Sequence, residues 1–165
     1  MSRIQETLGL PQPMWREMVE QARREWPFEC CGIVTGSKVQ PGTELRLHPC
    51  RNVYEEMKKQ DPVTFTRDAH DAFLIDPAAQ LAIERQNREQ GRDYYIFYHS
   101  HAQCDAYFSA EDKAAAVFPF DEPNHPEARH LVLSIWDRRL KEAFWCRWDE
   151  GTRDFPGEKE SFEPA

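Results

Sequence analysis

The sequence has no apolar run approaching the ~20 residues that a membrane helix requires. Its opening, Met1-Ser2-Arg3-Ile4-Gln5-Glu6, lacks the apolar stretch of a secretory signal, so a cytoplasmic protein is expected. There is no C-x-x-C pair, and the cysteines are five: Cys30, Cys31, Cys50, Cys104 and Cys146. A zinc knuckle or a secreted disulfide scaffold is disfavoured, and a reducing compartment suits the chain. Cationic excess is missing too: 21 Lys and Arg against 29 Asp and Glu leave a net charge of −8. That argues against nucleic-acid binding, which needs a surface able to neutralise phosphates. No internal repeat is present.

What is there suits one globular body. The 165 residues, 40% hydrophobic and 12% aromatic, suffice for a core without covalent staples. A single domain is expected over residues 1–148. Residues 149–165 carry six acids against Arg153 and Lys159, and read as a solvated, disordered tail.

Met14, Met18, Ala22 and Trp26 recur every four residues and predict a helix over 11–26, stopped by Pro27. Strands are expected over 28–36 and 44–49, the second from the alternation of Glu44, Leu45, Arg46 and Leu47. Residues 54–72 are polar, with Pro62 inside them, and read as a long loop or broken helix suited to touching a partner. Asp76-Pro77 opens a helix that Gly91 closes, with Leu81, Ala78, Ala82 and the stem of Arg85 on its inner side. Residues 94–98 form an apolar strand, and His99-Ser100-His101 lies at its end. A short helix over 109–118 follows, then strands over 131–136 and 140–148 joined at 137–139. This order predicts an α/β (α+β) fold, a central mixed sheet flanked by helices.

One spacing carries chemistry: His99-x-His101, then Ser109-x-x-Asp112. Residues two apart on a strand point to one side, so the imidazoles can converge on one ion. Ser109 starts a helix, and Asp112, one turn in, presents a carboxylate toward them. Two imidazoles and a carboxylate suit Zn²⁺ and leave a fourth position for water, whose pKa zinc lowers. Ser-x-x-Asp taken alone is a capping pattern; its conjunction with His-x-His points to the metal. The metallo-β-lactamase pattern fails at Gln103 and Cys104, and the zinc-deaminase pattern of His-x-Glu with Pro-Cys-x-x-Cys does not occur.

These residues, with Glu29-Cys30-Cys31-Gly32 upstream, resemble the motif of the JAMM (MPN+) zinc metalloproteases, in their small bacterial single-domain form. Arg51-Asn52-Val53, Asp76-Pro77 and Leu131-Val132-Leu133-Ser134 extend the likeness over most of residues 15–148. The resemblance implies a JAMM/MPN, cytidine-deaminase-like fold, with His99, His101 and Asp112 binding Zn²⁺. It implies Glu29 as general base and Ser109 as hydrogen-bond donor to the oxyanion. It also implies cleavage of a peptide or isopeptide bond after the C-terminal Gly-Gly of a ubiquitin-like or sulfur-carrier protein. A non-catalytic MPN scaffold and a metallo-amidase acting on small molecules stay open at this point.

Two prolines common in the family are replaced by Ala102 and Phe108, and the intervening loop holds two further potential ligands, Cys104 and Asp105. Cys104 is a candidate for transient occupation of the open zinc position. His48, His70, His125 and His130 lack ligand spacing and are expected on the surface or satisfied in the core. Cys30 and Cys31 are expected on opposite faces of their strand.

Overall fold

A computed structural model describes residues 1–162. The chain opens with α1 (Arg3–Leu8), which the sequence reading did not anticipate. Ser2 caps it, Gly9 ends it in the left-handed conformation, and the Glu160 carboxylate accepts the free N–H groups of Arg3 and Ile4. Then come α2 (Gln12–Glu25), β1 (Cys31–Ser37), β2 (Arg46–Cys50) and α3 (Tyr54–Gln60). They are followed by α4 (Pro77–Gln90), β3 (Arg92–Ala102), α5 (Ala110–Val117), β4 (Arg129–Trp136), β5 (Arg139–Arg147) and β6 (Gly157–Ser161).

The strands form one sheet in the order β2-β1-β3-β4-β5-β6. Among the described residues β3 and β4 are the parallel pair, and every other neighbouring pair is antiparallel. The mixed sheet flanked by helices is the architecture the sequence predicts. Asp137 and Arg138 both have positive φ and make the tight β4–β5 turn.

Each face of the sheet has its own core. On one, Met18 and Ala22 of α2 and Ile4 and Leu8 of α1 cover Cys30, Val34, Ile96, Tyr98, Leu131 and Leu133. On the other, Cys31, Ile33, Tyr94 and Ile83 of α4 pack together, and Val132 joins Ala106, Phe108, Cys146 and Phe155. Strand alternation thus separates Cys30 from Cys31, as the sequence predicts. A Cβ on Gly32 would overlap the Tyr98 ring on the neighbouring strand, so only glycine fits there. Tyr98 donates to Gln21 Oε1 (2.6 Å), and Gln21 Nε2 donates to the Cys31 carbonyl (3.0 Å), which ties α2 to the centre of the sheet.

Three expectations need correction. The first strand begins at Cys31 rather than at residue 28, because Glu29 gives its N–H to the Ala69 carbonyl (2.7 Å) instead of to a strand. Leu81 faces outward, 48% exposed, and α4 buries Ile83 and Asn87 instead. The acidic end is ordered through residue 162: Asp149 bridges to Asp154, and β6 pairs with β5. Main-chain pairing supplies that order whatever the side-chain charges, and charged residues are what an edge strand carries. Residues 163–165 of the expected tail lie outside the described residues.

Candidate metal centre and active site

The site forms where β3 ends and α5 begins. His99 and His101 point to the α4/α5 side of the sheet, and Ser100 between them points to the opposite side. Its hydroxyl accepts the Cys30 N–H (2.8 Å), and its own N–H donates to the Cys30 carbonyl (3.0 Å). That clamp brings Glu29 beside the histidines. One carboxylate oxygen of Glu29 and one ring nitrogen from each of His99 and His101 lie within 4.8 Å of one another, all three residues buried.

Asp112 lies beside the two imidazoles. Ser109 caps α5: its Oγ accepts the Asp112 N–H (3.0 Å), and Asp112 Oδ2 accepts the Ser109 N–H (3.0 Å). The same Oδ2 lies 3.2 Å from His99 Nε2 and 3.8 Å from His101 Nε2. The cap and the approach of Asp112 to the imidazoles are therefore one feature, since the cap holds the aspartate there. Accepting through Oγ leaves the Ser109 hydroxyl proton free to donate.

The histidines have the chemistry of ligands. His101 Nδ1 donates to the Asp105 carbonyl (2.7 Å), an acceptor only, so the neutral ring presents the Nε2 lone pair to the cluster. Phe73 stacks on His99 with centroids 4.4 Å apart and fixes that ring. His99 Nε2 is buried without a hydrogen-bond partner, because Asp112 approaches it outside hydrogen-bond geometry. A buried orphan nitrogen facing a carboxylate and a second imidazole fits a divalent cation, and for this donor set zinc.

The two carboxylates titrate in opposite directions. Burial, reinforced by the Asp112 charge, pushes Glu29 up to about 9, with Arg67 opposing in part. Burial also disfavours the Asp112 charge, but His99 and His101 together with the Ser109 N–H outweigh it. They hold the carboxyl well below the usual range. Groups so divided suit separate roles, one a permanent anion and the other a proton carrier.

Two cavities adjoin the cluster. One, of about 420 Å³, has His99 and Asp112 in its wall together with Phe97, His125 and His130. The other, of about 390 Å³, is lined by Glu29 with Arg24, Glu25 and Glu55. Cys104 is half-buried and lies against Tyr107; among the described residues it is not part of the converging ligand atoms.

The family described as prokaryotic homologs of the JAB domain matches residues 11–145. The chain belongs to that family. This is the JAMM/MPN group that the sequence motif resembles, and the domain is a JAMM-type peptidase. It is similar to the CysO-cysteine peptidase of Mycobacterium tuberculosis, 27% identical over 120 residues, 73% of this chain and 68% of that one. It is also similar to the desampylase of Haloferax volcanii, 30% identical over 100 residues, 61% of this chain and 63% of that one. A solution structure from Desulfitobacterium hafniense shares the fold at TM-score 0.60 and 24% identity, covering 89% of this chain and 86% of that one. Another from Salinibacter ruber does so at TM-score 0.55 and 20% identity, covering 93% and 90%.

The JAB domain also uses residues that spacing alone did not single out. Asn52 Nδ2 donates to the carbonyls of Glu29 (2.9 Å) and Ala72 (3.1 Å), while its Oδ1 accepts the N–H groups of Tyr54 and Leu74 (3.1 Å each). It appeared in the family likeness only as part of Arg51-Asn52-Val53. Ser100 lay within the motif as a spacer. His125 and His130, expected on the surface or in the core, line the larger cavity.

Proposed function

We propose that this JAB domain is a zinc-dependent hydrolase that cleaves a peptide or isopeptide bond after the C-terminal Gly-Gly of a ubiquitin-like or sulfur-carrier protein. The observation that carries the reading is the meeting of His99, His101 and Asp112 with a buried Glu29 at one point of the fold. The partner class is supported by the names of the relatives, a CysO-cysteine peptidase and a desampylase. The five free cysteines support the cytoplasmic expectation.

His99, His101 and Asp112 would hold the ion. Zinc bound there would supply Lewis-acid polarisation of the scissile carbonyl and acidify solvent water. The Glu29 carboxyl, whose ionised form a cation held at that point would favour, takes the proton from the attacking water and hands it to the departing amine. Ser109 donates its hydroxyl hydrogen to the carbonyl oxygen as negative charge grows there. Asn52 and Ser100 keep the Glu29 backbone in place while the proton moves. Residues 54–72 border both cavities through Tyr54 and Glu55, and we assign them the contact with the carrier's folded body.

The test separates metal from base. Glu29→Gln should retain one equivalent of zinc yet lose hydrolysis of a carrier bearing a C-terminal extension, read by mass spectrometry, by about a thousandfold or more. His99→Ala should lose both zinc and hydrolysis. Normal cleavage by Glu29→Gln would refute the assigned mechanism.

A further inference from the structure

The cavity beside the ligand cluster is larger and more aromatic than a glycine tail requires. Its volume of about 420 Å³ lies in the range of small-molecule sites. His99 and Asp112 form part of its wall, so an occupant lies against the reacting bond. Phe97 stacks on His125 with centroids 5.1 Å apart and on His130 at 5.9 Å, and Phe108 and Phe155 close on His130 at 4.7 and 5.5 Å. Among the described residues Arg67 is the one arginine or lysine in the wall, set against Glu111 and Asp112.

We propose that this cavity is the subsite for the leaving residue, accepting a large apolar or aromatic side chain on the amine side of the cleaved bond and selecting for it. The assignment rests on the hydrolase reading above. On the acyl side two glycines bring no side chain, so an aromatic chamber beside His99 and Asp112 has nothing to bind there. The cavity at Glu29 has Trp26 and Phe28 in its wall, but they stand among four charged residues, Arg24, Glu25, Glu29 and Glu55, and it exposes far less apolar surface. Hydrolysis adds water's hydroxyl to the acyl carbon and its remaining proton to the nitrogen. It releases the residue as a free amine with its side chain still seated among Phe97, His125 and His130. Flat neutral rings are complementary to a flat or bulky apolar group, and they penalise a charged one that must shed its water.

The experiment uses zinc-loaded protein and a ubiquitin-fold carrier ending in Gly-Gly followed by one residue, either Phe, Leu, Ala or Glu. Phe and Leu should be released with kcat/KM at least tenfold above Ala, and Glu should be slowest. Ala115→Leu narrows the cavity from an exposed position of α5 that tolerates leucine, and it should collapse the Phe-to-Ala ratio toward one. Equal rates for Phe and Ala would overturn the subsite and leave the hydrolase reading standing. Should no carrier be cleaved, that reading falls instead, and binding of L-phenylalaninamide judges the cavity separately. Shifts of the His125 and His130 ring signals in NMR with L-phenylalaninamide, absent with L-alaninamide, would support an aromatic site. No shifts would overturn it.

Discussion

Replacing Asn52 with Ala removes four hydrogen bonds, two given to the Glu29 and Ala72 carbonyls and two taken from Tyr54 and Leu74. Each is worth about 1 kcal/mol net, and the partners are only partly buried, so water recovers some of the loss; about 3 kcal/mol remains. For a domain of this size that lowers Tm by about 6–12 °C. Urea denaturation should show an earlier midpoint with an unchanged slope. Zinc stoichiometry should not change, because the proposed ligands come from β3 and α5 and Asn52 touches neither. Hydrolysis should fall about tenfold to a hundredfold, since the Glu29 carbonyl loses its anchor and small misplacements of a catalytic group are costly. Asn52→Asp keeps the two accepting bonds and loses the two donated ones. It should therefore recover part of the stability and little of the activity. If Asn52→Ala keeps wild-type kcat and shifts stability by less than about 0.5 kcal/mol, Asn52 does not hold the base and the reasoning fails.

Ser109→Ala loses the cap of α5 and should cost about 1 kcal/mol of stability, while kcat should fall about a hundredfold or more; proportionate small losses in both would assign the serine to capping alone. Burial holds His130 down at about 4, so the fold keeps it neutral while the unfolded chain binds a proton below pH 6.5. Stability from this group is therefore complete above 6.5 and is lost as the pH falls toward 4, by about 3 kcal/mol in all. His130→Phe should flatten that part of the acid side of a stability-versus-pH curve relative to wild type. Gly32→Ala should destabilise by about 3 kcal/mol in denaturant titration, because the Tyr98 ring is fully buried and held by Gln21.

The parts of the fold that local chemistry dictates were readable in the sequence. Asp76 caps α4 through the Ala78 N–H, Pro77 occupies its first turn, and Gly91 ends it with positive φ, each at the residue that carries the signal. The His-x-His spacing forces both rings to one side of β3. The inward face of α4 was not readable, because its apolar content is thin and the sheet chooses Ile83 over Leu81. Strand β6 was missed because Glu158, Lys159 and Glu160 read as solvated, while the ladder that orders them uses main-chain groups. At the site, the convergence of His99, His101 and Asp112 was legible in their spacing. The place of Asn52 was not, since its four partners come from three separate stretches of chain. The aromatic cavity was equally invisible, since Phe97, His125 and Phe155 meet only in three dimensions.

The parallel pairing of β3 and β4 has a consequence for the order in which the centre is built. A chain that runs two strands the same way must turn back over the sheet between them, and here α5 lies on that return path. Asp112 follows His99 by only thirteen residues, so the loop that unites them closes cheaply in entropy. Glu29 reaches the same point across a clamp seventy residues wide in sequence. The proposed cradle for the ion can thus assemble from one short stretch of chain before Glu29, the proposed proton acceptor, docks. A loosening of the Cys30–Ser100 clamp would leave a molecule that still grips its metal but has fallen catalytically silent.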